Sequence, residues 1–254
     1  MDVTTSPRDA VLARCDPTVL LAVVVAVPLV LARVHRPGPP GVLWALAMVA
    51  VLATTPLTAR RLVVAQVPFA SFALGVGLVN AVTRQGDVVA VVGPLRVTRQ
   101  GLEVGTALGL RTLLVGVCAA GFLAVVDPAR LVVSLRQVAR LPVRVAYALL
   151  AAHRLLDDLP GEWTTIRRAH AVRMPGPRRL SGSPRALARA AFTLLATSVR
   201  RAERVAVALE SRGLGALPPG RRTSWRTARP TWRDGVLVAC AAVAVCAALA
   251  VPGW

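Results

Sequence analysis

Five apolar runs divide this chain, four of them within its first 126 residues and one near its end, and none falls between Asp127 and Asp234. Such runs constrain a fold more than any motif does, because backbone polar groups inside a bilayer have to be satisfied within a helix or a closed barrel. The segments 62–82, LVVAQVPFASFALGVGLVNAV, and 104–126, VGTALGLRTLLVGVCAAGFLAVV, are long enough as helices to cross a hydrocarbon core of about 30 Å. Near the end, 235–251, GVLVACAAVAVCAALAV, is a further span, with Trp232 and Trp254 placed as interfacial anchors. The first two runs, 19–34 and 41–55, are shorter, about 24 Å each as helices. The HRPGPPG between them makes a helical hairpin, which has to thin the bilayer or lean on other helices. A re-entrant hairpin is the alternative for this pair.

The composition agrees. Of 254 residues 55% are hydrophobic and only 4% aromatic, with a mean hydropathy of +0.60, more apolar than a soluble domain of this length. The net charge of +19 is carried entirely by arginine, for there is no lysine. Arginine excess suits nucleic acid, anionic lipid or the cytoplasmic face of a membrane protein. Its distribution separates these: about two-thirds of the arginines lie between Asp127 and Asp234. The positive-inside rule puts that segment in the cytoplasm, and five spans then place the N-terminus inside and the C-terminus outside. Arg60 and Arg61 fall inside, as the rule prefers, while Arg84, Arg96 and Arg99 fall outside and count against it. The first residues, MDVTTSPRDAVLARCDP, carry acids ahead of the first apolar run and no small-residue cleavage site follows, a poor signal peptide.

Within the spans, Gly75, Gly77 and Ser71 suit close helix packing in lipid. The connection VVAVVGPLRVTRQGLE alternates around Gly-Pro, which predicts a turn or short hairpin. Arg111 stands two turns inside its span and is expected to snorkel toward the headgroups.

The basic segment predicts three helices. The first, 127–140, opens with Asp127 as N-cap and Pro128 at the first helical position. The second begins at Pro142, is interrupted at Pro160-Gly161 and resumes as EWTTIRRAHAVRM. The third runs from Pro184, after Ser183 as N-cap, to Arg212, with an apolar stripe through Leu187, Ala191, Leu194, Leu195, Ala202, Val205 and Leu209. These helices are too polar to span and too one-sidedly apolar to stand free, so their stripes should lie on the membrane body or against a partner.

Two of them end on an arginine. Arg212 precedes Gly213, the usual left-handed helix cap, and capping with dipole complementarity accounts for that pattern by itself. Arg173 ends its helix differently, because Pro175 disfavours helical geometry at Met174. Two unrelated stop devices thus leave an arginine at a helix tip, where a planar guanidinium fork suits docking into a carboxylate- or carbonyl-lined pocket of another protein.

Enzymatic motifs are missing from the sequence. A phosphate-binding loop needs a lysine, and no GxSxG, HExxH or paired cysteine-histidine motif occurs. Cys15, Cys118, Cys240 and Cys246 share no metal-like spacing, and three of them sit in apolar runs as small hydrophobes. His35, His153 and His170 are scattered, and Asp157 and Asp158, adjacent on a helix, diverge, a poor catalytic pair that is expected to offset nearby arginines or sit at the membrane boundary. A membrane-tethered nucleic-acid binder lacks interleaved aromatics and any binding module. A structural membrane scaffold whose basic segment holds anionic lipid is the alternative to docking of the arginine tips into another protein.

AHAVRM, 169–174, and ALESRG, 208–213, resemble the paired Ala-Arg-Gly-like motifs that end the coupling helices of the transmembrane T component of energy-coupling factor transporters, the EcfT/CbiQ family. GPLRVTRQGLEVGTALGLRTL, DPARLVVSLRQVARLPVRVAYALLAAHRLLDDL and CDPTVLLAVV resemble further family segments, so weak similarity covers most of the chain. Three departures stand out. Val172 and Met174 flank the first motif's arginine in place of alanine and glycine, Ser211 replaces alanine in the second, and Asp157 stands where a proline is expected after Arg154.

The resemblance implies an all-α membrane protein with about five transmembrane helices and a cytoplasmic coupling domain of about three long amphipathic helices. Residues 1–126 would hold four spans, 127–234 the coupling helices and 235–254 the last span. It implies a non-catalytic cell-membrane subunit with no cofactor of its own, since ATP is bound and hydrolysed by partners. Those partners would be two cytoplasmic ABC ATPases, a small hydrophobic substrate-binding S component and membrane lipid, with no nucleic acid; the cargo would be a vitamin or a transition-metal ion. Arg173 and Arg212 would dock the ATPases, Ala169 and Ala208 would permit close approach, and Gly213 would complete the second motif.

Overall fold

A computed structural model describes residues 11–34, 36–92, 95–172, 183–214, 228 and 231–250. The described chain contains eight α-helices and one two-stranded hairpin. α1 (Pro17–Val30) starts where the Asp16 carboxylate accepts the Thr18 N–H at 2.9 Å with Pro17 at the first helical position. It closes in a 3-10 turn, Leu31–Arg33, before α2 (Gly38–Thr54). α3 (Ala59–Thr83) and α4 (Arg99–Val125) follow, then α5 (Pro128–Gln137), α6 (Val143–Val172), α7 (Pro184–Ser211) and α8 (Trp232–Ala250). Three of the five expected spans, α3, α4 and α8, are long and apolar enough to cross a membrane, whereas α1 and α2 are shorter apolar helices. Between α3 and α4, β1 (Val88–Val92) pairs antiparallel with β2 (Leu95–Thr98), the predicted hairpin. Its Gly93–Pro94 turn and the anchor position Trp254 lie outside the described residues.

The chain divides into two compact units, Met1–Ser134 with Ala228–Trp254, and Leu135–Thr227. In the first, α3 and α4 meet through small residues. A Cβ at Gly105 would fall 2.7 Å from the Gly77 carbonyl oxygen and 3.1 Å from the Gly77 Cα, and one at Gly101 2.5 Å from the Asn80 carbonyl oxygen. Gly109 faces Ala73 in the same line, so glycines four apart on α4 let the two backbones touch. Gly77 belongs to this contact. Gly75 faces open space, and Ser71 is exposed and turns its hydroxyl back to the Pro68 carbonyl of its own helix at 2.9 Å. Thr98 joins the outer ends of the pair, accepting from the Gly101 N–H and donating to the Arg84 carbonyl at 2.9 Å.

Arg111 does not snorkel. Its Nη2 donates to the carbonyls of Leu31 and, at 2.8 Å, Val34, where the chain leaves α1; the Leu31 carbonyl also accepts the Val34 N–H at 2.9 Å. The guanidinium therefore ties the end of α1, and with it the α1–α2 turn, near the midpoint of α4 rather than at its end; a Cβ at Gly41 would lie 3.4 Å from Leu110 Cδ1. Leu31, Leu43, Leu114, Val245 and Ala248 form the core beside it. Arg111→Leu is expected to destabilise the chain by about 3 kcal/mol, the lower end for two lost bonds from a charged donor at about 1.5–3 kcal/mol each. The check is the thermal midpoint in detergent, together with faster hydrogen exchange at residues 29–41.

In the second unit α6 and α7 pack on each other. α6 runs unbroken through Pro160, where an interruption was expected. Proline removes one intrahelical bond, but Arg201 of α7 braces the same stretch, donating to Asp158 at 2.8 Å and to Glu162. Asp158 thus offsets an arginine, one of the two readings of its position. Ser183 caps α7 as expected, accepting from the Ala186 N–H at 3.3 Å. α5 is capped by Asp127 on the Ala129 N–H at 3.1 Å and stops at Gln137, short of the expected Arg140. Arg140 takes a left-handed φ of 56°, which costs a side-chain-bearing residue about 1–2 kcal/mol. Arg140→Gly is expected to raise stability by about 1 kcal/mol, seen as a higher thermal midpoint.

Candidate functional site

The end of α7 is built by its backbone. Leu214 N–H reaches the Leu209 carbonyl at 2.9 Å and Gly213 N–H the Glu210 carbonyl at 2.9 Å, with Gly213 at φ 82°. That is a Schellman cap, whose left-handed residue favours glycine. Arg212, the residue just before it, is exposed, and so is Ala208 four positions earlier on the same helix face. The cap fixes where the helix stops and leaves the arginine at the tip.

α6 ends with Ala169 exposed and Val172, its last described residue, 86% exposed. Arg173 lies outside the described residues. The last turn of α6 is fastened to the first part of α7 by the 3.2 Å hydrogen bond between His170 Nε2 and Thr193 Oγ1. Farther back on α6, Asp158 and Glu162 meet Arg201, so the two helices run antiparallel and their ends point apart. From Thr193 to Arg212 is about 28 Å along α7 at 1.5 Å per residue. Ala169 and Arg212 are therefore not brought together; they belong to two separate tips. Leu187, Phe192, Leu195, Val199 and Val207 of α7 stay exposed, so the unit leaves much of that helix's apolar surface uncovered.

A second cluster was missed in the sequence. Asp234, 3% exposed, opens α8 and accepts the Asp16 N–H on Oδ1 at 2.6 Å and the Thr231 N–H and hydroxyl on Oδ2 at 2.6 and 3.0 Å. Asp16 Oδ1 accepts the Thr18 N–H and the Ser134 hydroxyl, and the Thr18 and Ser134 hydroxyls are 2.6 Å apart. Arg130 of α5 donates to the carbonyls of Ala13 at 2.5 Å and Cys15 at 3.2 Å. Burial, and after it the Asp234 carboxylate, pushes the Cys15 thiol above its ordinary range, which keeps it protonated and unreactive. The available signals were small: Asp-Pro at the start of a span and one acid at the start of another.

Comparison with known proteins places this geometry. The family model described as cobalt transport protein, CbiQ, matches residues 9–222. A protein of Bifidobacterium longum (strain NCC 2705), provisionally named an ABC transporter ATP-binding protein, is 27% identical over 255 residues, covering 96% of this chain and 32% of that protein. The chain thus spans about a third of that relative's length. Since the family match runs from before the first apolar helix to beyond the Arg212–Gly213 tip, the chain belongs to the EcfT/CbiQ family of transporter membrane components.

Proposed function

We propose that the chain is the coupling subunit of an energy-coupling factor importer, a membrane protein that performs no chemistry and carries ATP-driven motion from two ABC ATPases to a substrate-binding S component. Each ATPase takes one helix tip, Arg212 entering one and Arg173 the other, with Ala208 and Ala169 allowing close approach. The observation that carries this reading is the pair of divergent ends: an exposed arginine held by a Schellman cap on α7, and an α6 end fixed about 28 Å away along that helix. Tips set that far apart suit two subunits better than a single shared pocket. When the ATPases close, the tips shift relative to each other, and the uncovered apolar surface of α7 passes the shift to the S component.

The relative from Bifidobacterium longum adds support, because its name gives ATP binding to a polypeptide of which one third resembles this chain. These 254 residues hold no lysine for a phosphate loop, so in this reading ATP is bound outside them. In this reading α1, α2, α3, α4 and α8 all lie within the bilayer, the basic segment faces the cytoplasm and the cargo is a vitamin or transition-metal ion. Tagged chain recovered from its native membranes and analysed by mass spectrometry is expected to bring down ABC ATPase subunits and a small hydrophobic protein. Recovery of the chain with anionic lipid and neither protein would refute the proposal.

A further inference from the structure

The covalent chain joins the two units twice, leaving the first after Ser134 and re-entering it at Ala228. Both passages stand close in sequence to residues of the buried cluster at the start of α1. Ser134, fully buried, is the last residue of the first unit and binds Asp16 and Thr18; Arg130, one turn earlier on the same helix, grips the backbone at Ala13 and Cys15. On the return passage Thr231 and Asp234 open α8, and Asp234 reaches across to the Asp16 backbone. Three segments far apart in sequence, 13–18, 130–134 and 231–234, are thereby knotted within one hydrogen-bonded network.

The geometry points to Asp234 as the positioning residue of a clamp that fastens both chain passages to the N-terminal end of α1, so that displacement of the second unit reaches α1 and α8 as one movement. The proposal rests on the coupling role above and names the element that carries it into the spans. Its chemistry is specific. A buried carboxylate costs free energy unless it is hydrogen-bonded, and Asp234 engages both oxygens: Oδ1 for Asp16, Oδ2 for Thr231. Among the described residues, the donors that reach the Asp16 carboxylate, the Thr18 N–H and the Ser134 hydroxyl, converge on Oδ1. The same substitution should therefore act unequally. Asp16→Asn keeps its acceptor oxygen. Asp234→Asn has to turn an amide N–H₂ toward either the Thr231 N–H or the Asp16 N–H, and one of the two passages comes loose. Ser134→Ala, which removes the hydroxyl bridge without adding bulk, loosens the other.

The test uses the full chain in lipid nanodiscs, alone and with its ATPases, read by hydrogen–deuterium exchange. In the chain alone, Asp234→Asn is expected to speed exchange at least tenfold at 14–20 and 231–236 while leaving 73–81 and 101–109 within about twofold, and Asp16→Asn should match the wild type. In the assembly, ATP is expected to change exchange both in 143–211 and in 232–250 of the wild type. With Asp234→Asn or Ser134→Ala the first change persists, the second is lost, and ATP hydrolysis stays within about twofold. Should Asp234→Asn prevent folding, Ser134→Ala alone decides. Transmission to α8 as in the wild type in both variants, or equal damage from Asp16→Asn and Asp234→Asn, would overturn the clamp while leaving the coupling role intact. Failure of any ATPase to bind the wild type would instead sink the coupling role, and exchange in the chain alone would still decide whether the clamp exists.

Discussion

Arg212→Glu is expected to reduce recovery of ABC ATPase subunits with the tagged chain by at least a hundredfold. The side chain is exposed at the end of α7, so it contributes nothing to the fold that its loss would remove. Buried against an ATPase, a guanidinium paired with carboxylates or carbonyls contributes enough that removing it costs about 2–5 kcal/mol, and reversing its charge lies at the upper end of that range. Arg212→Lys should recover part of the binding, because an ammonium keeps the charge and loses the planar fork. Gly213→Ala is the informative neighbour. It preserves the arginine but strains a backbone at φ 82° by about 1–2 kcal/mol, so it should weaken recovery by a smaller factor through misplacement of the tip. Arg204→Glu, two turns back from the tip, should leave recovery within about twofold. Arg173→Glu is expected to act as Arg212→Glu does. Unchanged recovery in both charge reversals would end the docking assignment.

The second large effect lies in the α3–α4 contact. Gly105→Ala puts a methyl group 2.7 Å from the Gly77 carbonyl oxygen and 3.1 Å from its Cα, both backbone atoms that no rotamer change can move. The helices have to separate, and overpacking of this kind costs about 1–3 kcal/mol; Gly105→Leu should prevent a monodisperse protein from forming. For a chain of this size about 1 kcal/mol corresponds to about 2–4 °C, so Gly105→Ala is expected to lower the thermal midpoint by about 5 °C. Gly75→Ala, with nothing within 4 Å of the new Cβ, should lower it not at all, and better helix propensity favours a small rise. Equal effects at the two glycines would contradict the packing described.

Much of this was readable from local sequence. Alternation around Gly93-Pro94 announced the hairpin, Asp127-Pro128 and Ser183-Pro184 announced two helix starts, and Arg212-Gly213 announced where α7 stops. Each of those signals is decided within a few residues by backbone sterics and capping. Pro160 was misleading for the same reason. Local rules predict a break there, while Arg201, 41 positions away from Pro160 by number, holds Asp158 and Glu162 on either side of it. The α4 glycines are written four apart in GLEVGTALG, but only the neighbouring backbone of α3 reveals why they matter, and attention to Gly75 picked the wrong face. Arg111 was assigned to the headgroups because its partners, Leu31 and Val34, are 80 and 77 residues away. The Asp16–Ser134–Asp234 cluster was invisible for the same cause, since no periodicity links separations of 118 and 218.

The central claim is that the α7 tip enters an ABC ATPase. It is tested most directly by placing a photo-reactive residue at position 212 in cells and identifying what it captures. The expected result is a covalent adduct with an ABC ATPase subunit, lost when the reactive residue is moved to the opposite face at position 203. Adducts confined to the chain's own helices or to lipid, with no ATPase among them, would contradict it.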